Sequence, residues 1–117
     1  MVGSEAFKSV VLEWLVIVIV APLIETLLFQ SLIIELVCKL FKRPRRNLFI
    51  SVTASSVAFA LSHSYSISYI IITFLAGVIL ALAYYLGRYR KESPIVLVFV
   101  IHAVYNLLTS VYNTIIF

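Results

Sequence analysis

The sequence predicts an all-α, polytopic membrane protein with four transmembrane helices in one bundle. Hydrophobic residues make up 63% of the 117 residues, charged residues make up 12%, and the mean hydropathy is +1.14. Soluble domains are about 45–50% apolar and about 25% charged, so this composition is typical of an integral membrane protein. A spanning helix needs roughly 20 residues. Four of them nearly use up the chain, and we expect a single membrane-embedded domain over residues 1–117.

The apolar residues fall into four segments that are separated by polar or basic breaks. The predicted spans cover residues 10–37, 48–62, 69–86 and 95–116. Lipid cannot satisfy an open backbone, and segments this long are poor barrel strands, so each segment is predicted to be a helix. Pro44 opposes continuation of the first helix, and Pro94 suits the first turn of the fourth. Gly77 and Ala81, four residues apart, are expected to allow close helix packing.

The basic residues predict the orientation of the chain in a cell membrane. Eight of the nine Lys and Arg residues lie in the breaks 39–47 and 87–93. Two spans separate these breaks, so both lie on one side, and the positive-inside rule places that side in the cytoplasm. Both termini are then expected on the opposite side. This clustering is typical of membrane topology, and we predict lipid rather than nucleic acid as the partner.

A few strongly polar side chains interrupt the apolar spans. Glu25 lies in the middle of the first span, His63 ends the second, and His102 and Asn106 lie four residues apart in the fourth. An acid at the centre of a membrane helix costs about 2.5–3.5 kcal/mol, so it normally faces a partner or a water-filled cavity. If the bundle is compact, these side chains can avoid lipid only in its interior, and we expect them to converge there. A purely structural contact between Glu25 and a histidine is the alternative.

These residue types are sufficient for water-mediated hydrolysis of an amide. A partly dehydrated carboxylate is a good general base near neutral pH, and an adjacent imidazole can share its water molecule. A second histidine with an asparagine can donate N–H groups to a developing oxyanion. Two histidines and one carboxylate could instead bind zinc. The spans lack the short H-E-x-x-H spacing of a zinc site, and the single cysteine, Cys38, forms no Cys/His cluster, so we predict no cofactor and keep zinc as the weaker alternative.

Three motifs occur in order on three of the four spans: "ETLLFQ", "FALSH" and "HAVYN". Together they resemble the CPBP family of CAAX-processing and bacteriocin-processing membrane proteases, also called the Abi family. The family pattern is E-E-x-x-x-R, then F-x-x-x-H, then H-x-x-x-N or H-x-x-x-D, and the resemblance covers about residues 12–110. It implies a glutamic-type intramembrane endopeptidase in which Glu25 and His63 activate water and Phe59 packs beside His63. His102 and Asn106 would hold the oxyanion.

The first motif departs from the family pattern at two positions. Thr26 replaces the second glutamate, and Gln30 replaces the arginine. In an α-helix these positions are neighbours, so the family residues would suit an ion pair. Because both charges are absent together, we interpret Thr26 and Gln30 as a compensated supporting pair that can still form a hydrogen bond.

The predicted substrate is a membrane-associated peptide or a lipidated protein. The residues do not imply a prenyl group, and a bacteriocin leader, a pheromone or a membrane-anchored peptide is equally compatible. One alternative is a membrane protein that binds a toxin or peptide without cleaving it, as in bacteriocin immunity. Another is a small proton-coupled multidrug exporter, which has a similar length, four spans and a glutamate in its first helix. Four helices leave thin walls around a polar site, so a homo-oligomer is also compatible with the sequence.

Overall fold

A computed structural model describes residues 2–90 and 93–116 of the protein. This part of the chain forms four helices and no strand, which confirms the predicted all-α class. The first helix, α1, is continuous and consists of five segments, the second and fourth of them π-helical: Val2–Leu15, Val16–Val20, Ala21–Glu25, Thr26–Leu32 and Ile33–Leu40. The other helices are α2 (Pro44–Leu61), α3 (Ile67–Gly87) and α4 (Pro94–Ile116).

Three of these helices are long and apolar enough to cross a membrane. The candidate spans in the described part of the chain are Gly3–Leu40, Ile67–Gly87 and Pro94–Ile115. The less apolar helix α2 begins with "PRRN" and has serines along its middle. Ser51, Ser55 and Ser56 are fully buried, and Ser55 donates a hydrogen bond of 2.5 Å to the carbonyl of Phe29 on α1. The polar face of α2 therefore packs against the bundle, which explains its low hydropathy.

The π-helical segments of α1 surround a proline. Pro22 is fully buried and lies in the short α-helical segment between the two π-helical ones. Proline lacks the N–H group of a helical residue, and its ring crowds the carbonyl four residues earlier. Wider π-helical turns accompany such disruptions and are frequent at functional sites. Glu25 is the last residue before the second π-helical segment, at a position where the helix geometry changes.

The two basic breaks lie at the same end of the bundle. Arg88, just after α3, contacts Glu35 of α1 with an Nε–Oε1 distance of 2.7 Å, and the hydroxyl of Tyr84 donates to the same carboxylate. Burial lowers the pKa of Arg88, but the hydrogen bonds to Glu35 and the negative charge nearby outweigh it, so the pKa is raised. Near this site, the hydroxyl of Tyr85 donates to the carbonyl of Pro44 at the start of α2. The contacts of Glu35 join α1 to α3, and the bond of Tyr85 joins α3 to α2.

The first break is shorter than the sequence predicted. The structure gives a connection of residues 41–43, whereas the prediction was 39–47. The predicted end of the break at residue 47 was wrong because Pro44 begins α2. The N–H groups in the first turn of a helix have no partner within the helix, so a proline there loses no hydrogen bond. The basic residues after Pro44 form this first turn. The predicted second break, 87–93, follows the end of α3, and residues 91 and 92 lie outside the described residues.

Close packing of α2 against α3 forms the centre of the core. Phe59, Leu80, Ala81 and Tyr84 belong to one buried cluster, and Ala81 is completely buried. A Cβ atom at Gly77 would lie 3.2 Å from the Cα atom of Ser56 on α2. A side chain at this position would be crowded by the backbone of α2, so glycine allows the close helix packing that the small-residue spacing predicted. The cluster supports Phe59, the aromatic residue nearest to the polar side chains.

Candidate active site

One carboxylate joins the two histidines of the chain. Oε1 of Glu25 lies 3.5 Å from Nε2 of His63, and Oε2 lies 3.1 Å from Nε2 of His102. Glu25 comes from α1, His63 from the turn after α2, and His102 from α4. Three residues far apart in the sequence thus meet at a point inside the bundle, at an acid whose side chain is 23% exposed.

Two acceptors orient the imidazole of His63. Its Nδ1 lies 2.7 Å from the carbonyl oxygen of Phe59 and 2.9 Å from Oγ of Ser62. A carbonyl can only accept, so Nδ1 carries the proton and Nε2 is the basic nitrogen of the neutral ring. Oε1 of Glu25 and Nε2 of His63 are then two acceptors 3.5 Å apart, and a water molecule beside them can donate to either.

The ring of Phe59 packs against both histidines. Its centroid is 4.6 Å from that of His63 and 5.7 Å from that of His102, the latter in an edge-to-face arrangement. Phe59 is 4% exposed, so the core holds it in place. This is the packing beside His63 that the family resemblance implied, and the ring also limits the movement of His102.

Of the three polar residues Glu25, His63 and His102, His102 is the most deeply buried. Its residue exposure is 5%, its Nε2 contacts Glu25, and its Nδ1 has no hydrogen-bond partner among the described residues. In the neutral ring Nε2 donates to the carboxylate, which leaves Nδ1 as a bare acceptor in an apolar setting. His102 therefore holds one oxygen of Glu25 while His63 lies beside the other.

Asn106 is one helical turn beyond His102 and contacts the backbone of α1. Its Nδ2 donates a hydrogen bond of 3.0 Å to the carbonyl of Ile17, which lies in the first π-helical segment. The primary amide has two N–H groups, and this bond uses one of them. Asn106 also lines the cavity described below, where its second N–H remains for another acceptor.

Thr26 and Gln30 do not form the hydrogen bond that the sequence predicted. Both residues are fully buried, but Oγ1 of Thr26 and both polar atoms of the Gln30 amide have no partner among the described residues. The prediction assumed an α-helix, in which positions four apart lie on one face. Residues 26–32 are π-helical instead, and the two side chains are buried in this segment without bonding to each other.

A cavity of about 440 Å³ opens beside the cluster between α3 and α4. Glu25, Phe59, His63, His102 and Asn106 all contribute to its wall, so the structure brings these predicted site residues to one cavity, while Thr26 and Gln30 do not line it. Six further polar residues of the lining escaped the sequence-based prediction, namely Tyr69, Thr73, Tyr105, Thr109, Ser110 and Asn113. The polar residues of α4 recur at intervals of three and four, and this helical spacing was the available signal.

The two imidazoles lie beside the same carboxylate, that of Glu25. Each imidazole of the cluster faces a different oxygen of Glu25. Over residues 2–90 and 93–116, no group of three or more His, Cys, Asp or Glu residues is placed to hold a metal ion. These residues can accept a proton at Glu25 or His63, and Asn106 can donate its remaining N–H into the same cavity.

The chain matches a protein-family model over most of its length. A protein-family model described as "Type II CAAX prenyl endopeptidase Rce1-like" matches residues 7–108. The matched region contains all seven predicted site residues, from Glu25 in α1 to Asn106 in α4. No curated protein and no solved structure matches the chain.

Proposed function

Because the chain belongs to the Rce1-like family of type II CAAX prenyl endopeptidases, we propose that it is a glutamic-type intramembrane endopeptidase. Membership confirms the resemblance predicted from the three motifs, and it makes the protein a membrane protease of the CAAX type. The catalytic type, the residues that perform the reaction and the substrate are our proposal. The substrate is a membrane-associated peptide or a lipidated protein.

One observation carries the proposal: a single carboxylate within 3.5 Å of two imidazole nitrogens on the wall of a cavity. A charged side chain inside a membrane protein is expensive and normally has a function. Direct pairing with one histidine would be enough for a structural role. The second histidine, the free space beside Glu25 and the nearby amide of Asn106 support catalysis instead.

The proposed reaction uses one water molecule and one peptide bond. Glu25, assisted by Nε2 of His63, removes a proton from water as its oxygen attacks the carbonyl carbon. The resulting oxyanion accepts a hydrogen bond from the second N–H of Asn106. The C–N bond then breaks, and the proton held by Glu25 passes to the leaving amine, which restores the carboxylate. The resemblance implied that His102 holds the oxyanion together with Asn106. Because its Nε2 contacts Glu25, His102 is instead a positioning residue in this scheme and keeps the carboxylate oriented.

We also propose that all four helices cross the membrane. Burial of the serines supports this for α2, because a helix whose polar face is turned inward presents its other side to lipid. The basic breaks would face the cytoplasm by the positive-inside rule. The chain would act as a single domain. Association of several copies would shield the polar site of each four-helix bundle from lipid.

The experiment compares Glu25→Gln with Glu13→Gln, which makes the same change at an exposed position on the same helix. The purified protein in liposomes is incubated with a pool of membrane-anchored reporter peptides, and new termini are identified by mass spectrometry. Loss of the general base lowers the cleavage rate at least about 100-fold. Glu13→Gln retains the rate, and circular dichroism verifies that both variants are folded.

Full cleavage by folded Glu25→Gln would refute the glutamic mechanism. The non-catalytic alternative is tested separately by toxin sensitivity of cells that express the protein. Protection that persists unchanged in Glu25→Ala would indicate binding without turnover.

A further inference from the structure

An excess of positive charge lies at the end of the bundle where α1 and α3 finish and α2 begins. The described basic residues at this end are Lys39, Lys42, Arg43, Arg45, Arg46, Arg88 and Arg90. Among the described residues, Glu35 is the one acid beside them, and it pairs with Arg88. The side chains of the other six form no ion pair or hydrogen bond with any described residue. Their charge is therefore left for a partner outside the chain to neutralise.

A surface groove concentrates this charge at the start of α2. The groove has a volume of about 730 Å³ and is lined by Arg43, Pro44, Arg45 and Arg46. All three arginines are exposed, so their guanidinium groups can turn toward a ligand in the groove. A guanidinium presents its N–H groups in a planar fork that bonds to two oxygens of a phosphate at once. The groove thus suits an anion that has several oxygens.

The position of the groove along α2 corresponds to the headgroup layer of a membrane. Phe49 lies four residues after Arg45 on the same face of the helix, and it is 72% exposed. The two residues are separated by roughly 6 Å along the helix axis. The headgroup layer on each side of a bilayer is about 5–7 Å thick. When the ring of Phe49 lies at the edge of the hydrocarbon, the guanidinium of Arg45 lies at the depth of the lipid phosphates.

The end of α3 places the same level of the bundle at the membrane surface. Leu86 and Tyr89 are exposed there, and Arg90 follows them. Tyrosine is enriched at the boundary between lipid and water, where its ring lies among the headgroups. Residues of two helices thus bring the bases to the depth of the headgroups. This depth favours a lipid over a nucleic acid or an acidic protein, whose anionic groups lie in the water beyond this layer.

We propose that the groove at the start of α2 binds the headgroup phosphate of an anionic phospholipid such as phosphatidylglycerol, with the guanidinium groups of Arg43, Arg45 and Arg46 as its ligands. A zwitterionic lipid has the same phosphate, but the surrounding bases would repel its ammonium group. The positive-inside rule concerns only the side on which the bases lie, whereas this site holds a particular lipid at a particular place.

The lipid site is separate from the candidate active site. Glu25 lies roughly 15 Å from the level of Glu35 along α1, and none of the three arginines lines the cavity beside Glu25. The proposal therefore goes beyond the proposed function and is tested without any measurement of cleavage.

Native mass spectrometry measures the binding of single lipid molecules to the full-length protein in a non-ionic detergent. The protein is titrated with phosphatidylglycerol and, separately, with phosphatidylcholine that has the same acyl chains. The Kd of the first bound lipid is obtained for each. One base near an anionic lipid surface improves binding about fivefold, so we expect the Kd for phosphatidylglycerol to be at least about 10-fold lower than that for phosphatidylcholine.

Single substitutions test the groove and keep the remaining bases that orient the chain. Arg43→Gln and Arg45→Gln each raise the Kd for phosphatidylglycerol roughly 3-fold to 10-fold and leave that for phosphatidylcholine within about twofold. Lys8→Gln is the matched control, because it removes one exposed base near the opposite end of α1, and it leaves both Kd values unchanged. Arg45→Lys keeps the charge without the fork and gives a Kd between those of the unaltered protein and Arg45→Gln.

Circular dichroism verifies that the variants are folded, and the two glutamine variants test the groove independently of each other. Equal Kd values for the two lipids would overturn the inference. An effect of Lys8→Gln as large as that of Arg43→Gln and Arg45→Gln would overturn the assignment of the groove.

Two competitors identify the source of the anion. Inorganic phosphate at the concentration of the lipid should leave phosphatidylglycerol bound, because the glycerol and acyl chains of the lipid also contact the protein. Displacement by phosphate would assign the groove to a free phosphate and overturn the assignment to a lipid. Binding of polyglutamate that Arg45→Gln abolishes, together with equal Kd values for the two lipids, would assign the groove to an acidic protein instead.

Discussion

Substitution of Gly77 tests how the packing of two helices supports the candidate active site. In Gly77→Ala the new Cβ atom would lie 3.2 Å from the Cα atom of Ser56 and 3.2 Å from Cδ1 of Phe59. The first neighbour is backbone, so α2 must move by a few tenths of an ångström. Phe59 packs against His63, and the movement is therefore transmitted to the imidazole beside Glu25.

Two opposing effects determine the change in stability. Alanine is favoured over glycine in a helix by about 0.8–1.0 kcal/mol. Overpacking of a tight contact costs about 1–3 kcal/mol. The free energy of unfolding of Gly77→Ala should therefore fall by roughly 0–2 kcal/mol. A misplacement of 1 Å can lower a rate about 100-fold, so a shift of a few tenths should lower kcat/KM roughly 5-fold to 10-fold.

The other two glycines provide matched controls. A Cβ atom at Gly3 meets nothing within 4 Å, so Gly3→Ala should keep full activity and gain up to about 1 kcal/mol. A Cβ atom at Gly87 would lie 3.2 Å from Cβ of Pro94, a similar crowding at the end of the bundle remote from Glu25. Gly87→Ala should lose stability without changing kcat/KM of the folded protein. Unfolding in mixed micelles and Glu25-dependent cleavage in liposomes measure the two quantities.

Activity and stability of Gly77→Ala that equal those of Gly3→Ala would refute the reasoning. Such a result would mean that α2 and α3 are not in close contact at this point. A loss of stability with unchanged kcat/KM would refute only the second step, the transmission from Phe59 to His63.

Two further predictions concern the supports of the bundle. Glu35→Gln and Arg88→Gln should each lower the free energy of unfolding in micelles. A double-mutant cycle should give a coupling energy of about 0.5–1 kcal/mol between them, because both side chains are partly exposed. Additive effects of the two substitutions would show that the ion pair contributes nothing to stability. The double substitution Thr26→Val and Gln30→Leu should raise the free energy of unfolding by roughly 1–3 kcal/mol, because it removes buried polar atoms that have no described partner. A lower free energy of unfolding in the same assay would show that these atoms are hydrogen-bonded in the membrane.

Local sequence patterns predicted the helices because hydropathy and helix signals act over a few residues. The boundaries of the predicted spans agree with those of the observed helices to about two residues at most positions. The exceptions are both ends of α1 and the start of α2. Pro44 was recognised as a boundary, but its preference for the first turn of a helix was given too little weight, and the break came out shorter. The ordered motifs were likewise local patterns, and the family match bears them out.

By itself, the sequence determined that this protein is a helical membrane protease of a known family, and it singled out Glu25, His63 and His102 as the polar residues most expensive to bury. Only the tertiary structure decided how these residues meet, because each contact joins atoms from different helices. The bond from Asn106 to the carbonyl of Ile17 joins α4 to the first π-helical segment of α1, and the polar atoms of Thr26 and Gln30 are buried without a described partner in the second. A period counted along the chain assumes a regular α-helix, and α1 departs from that regularity on both sides of Pro22.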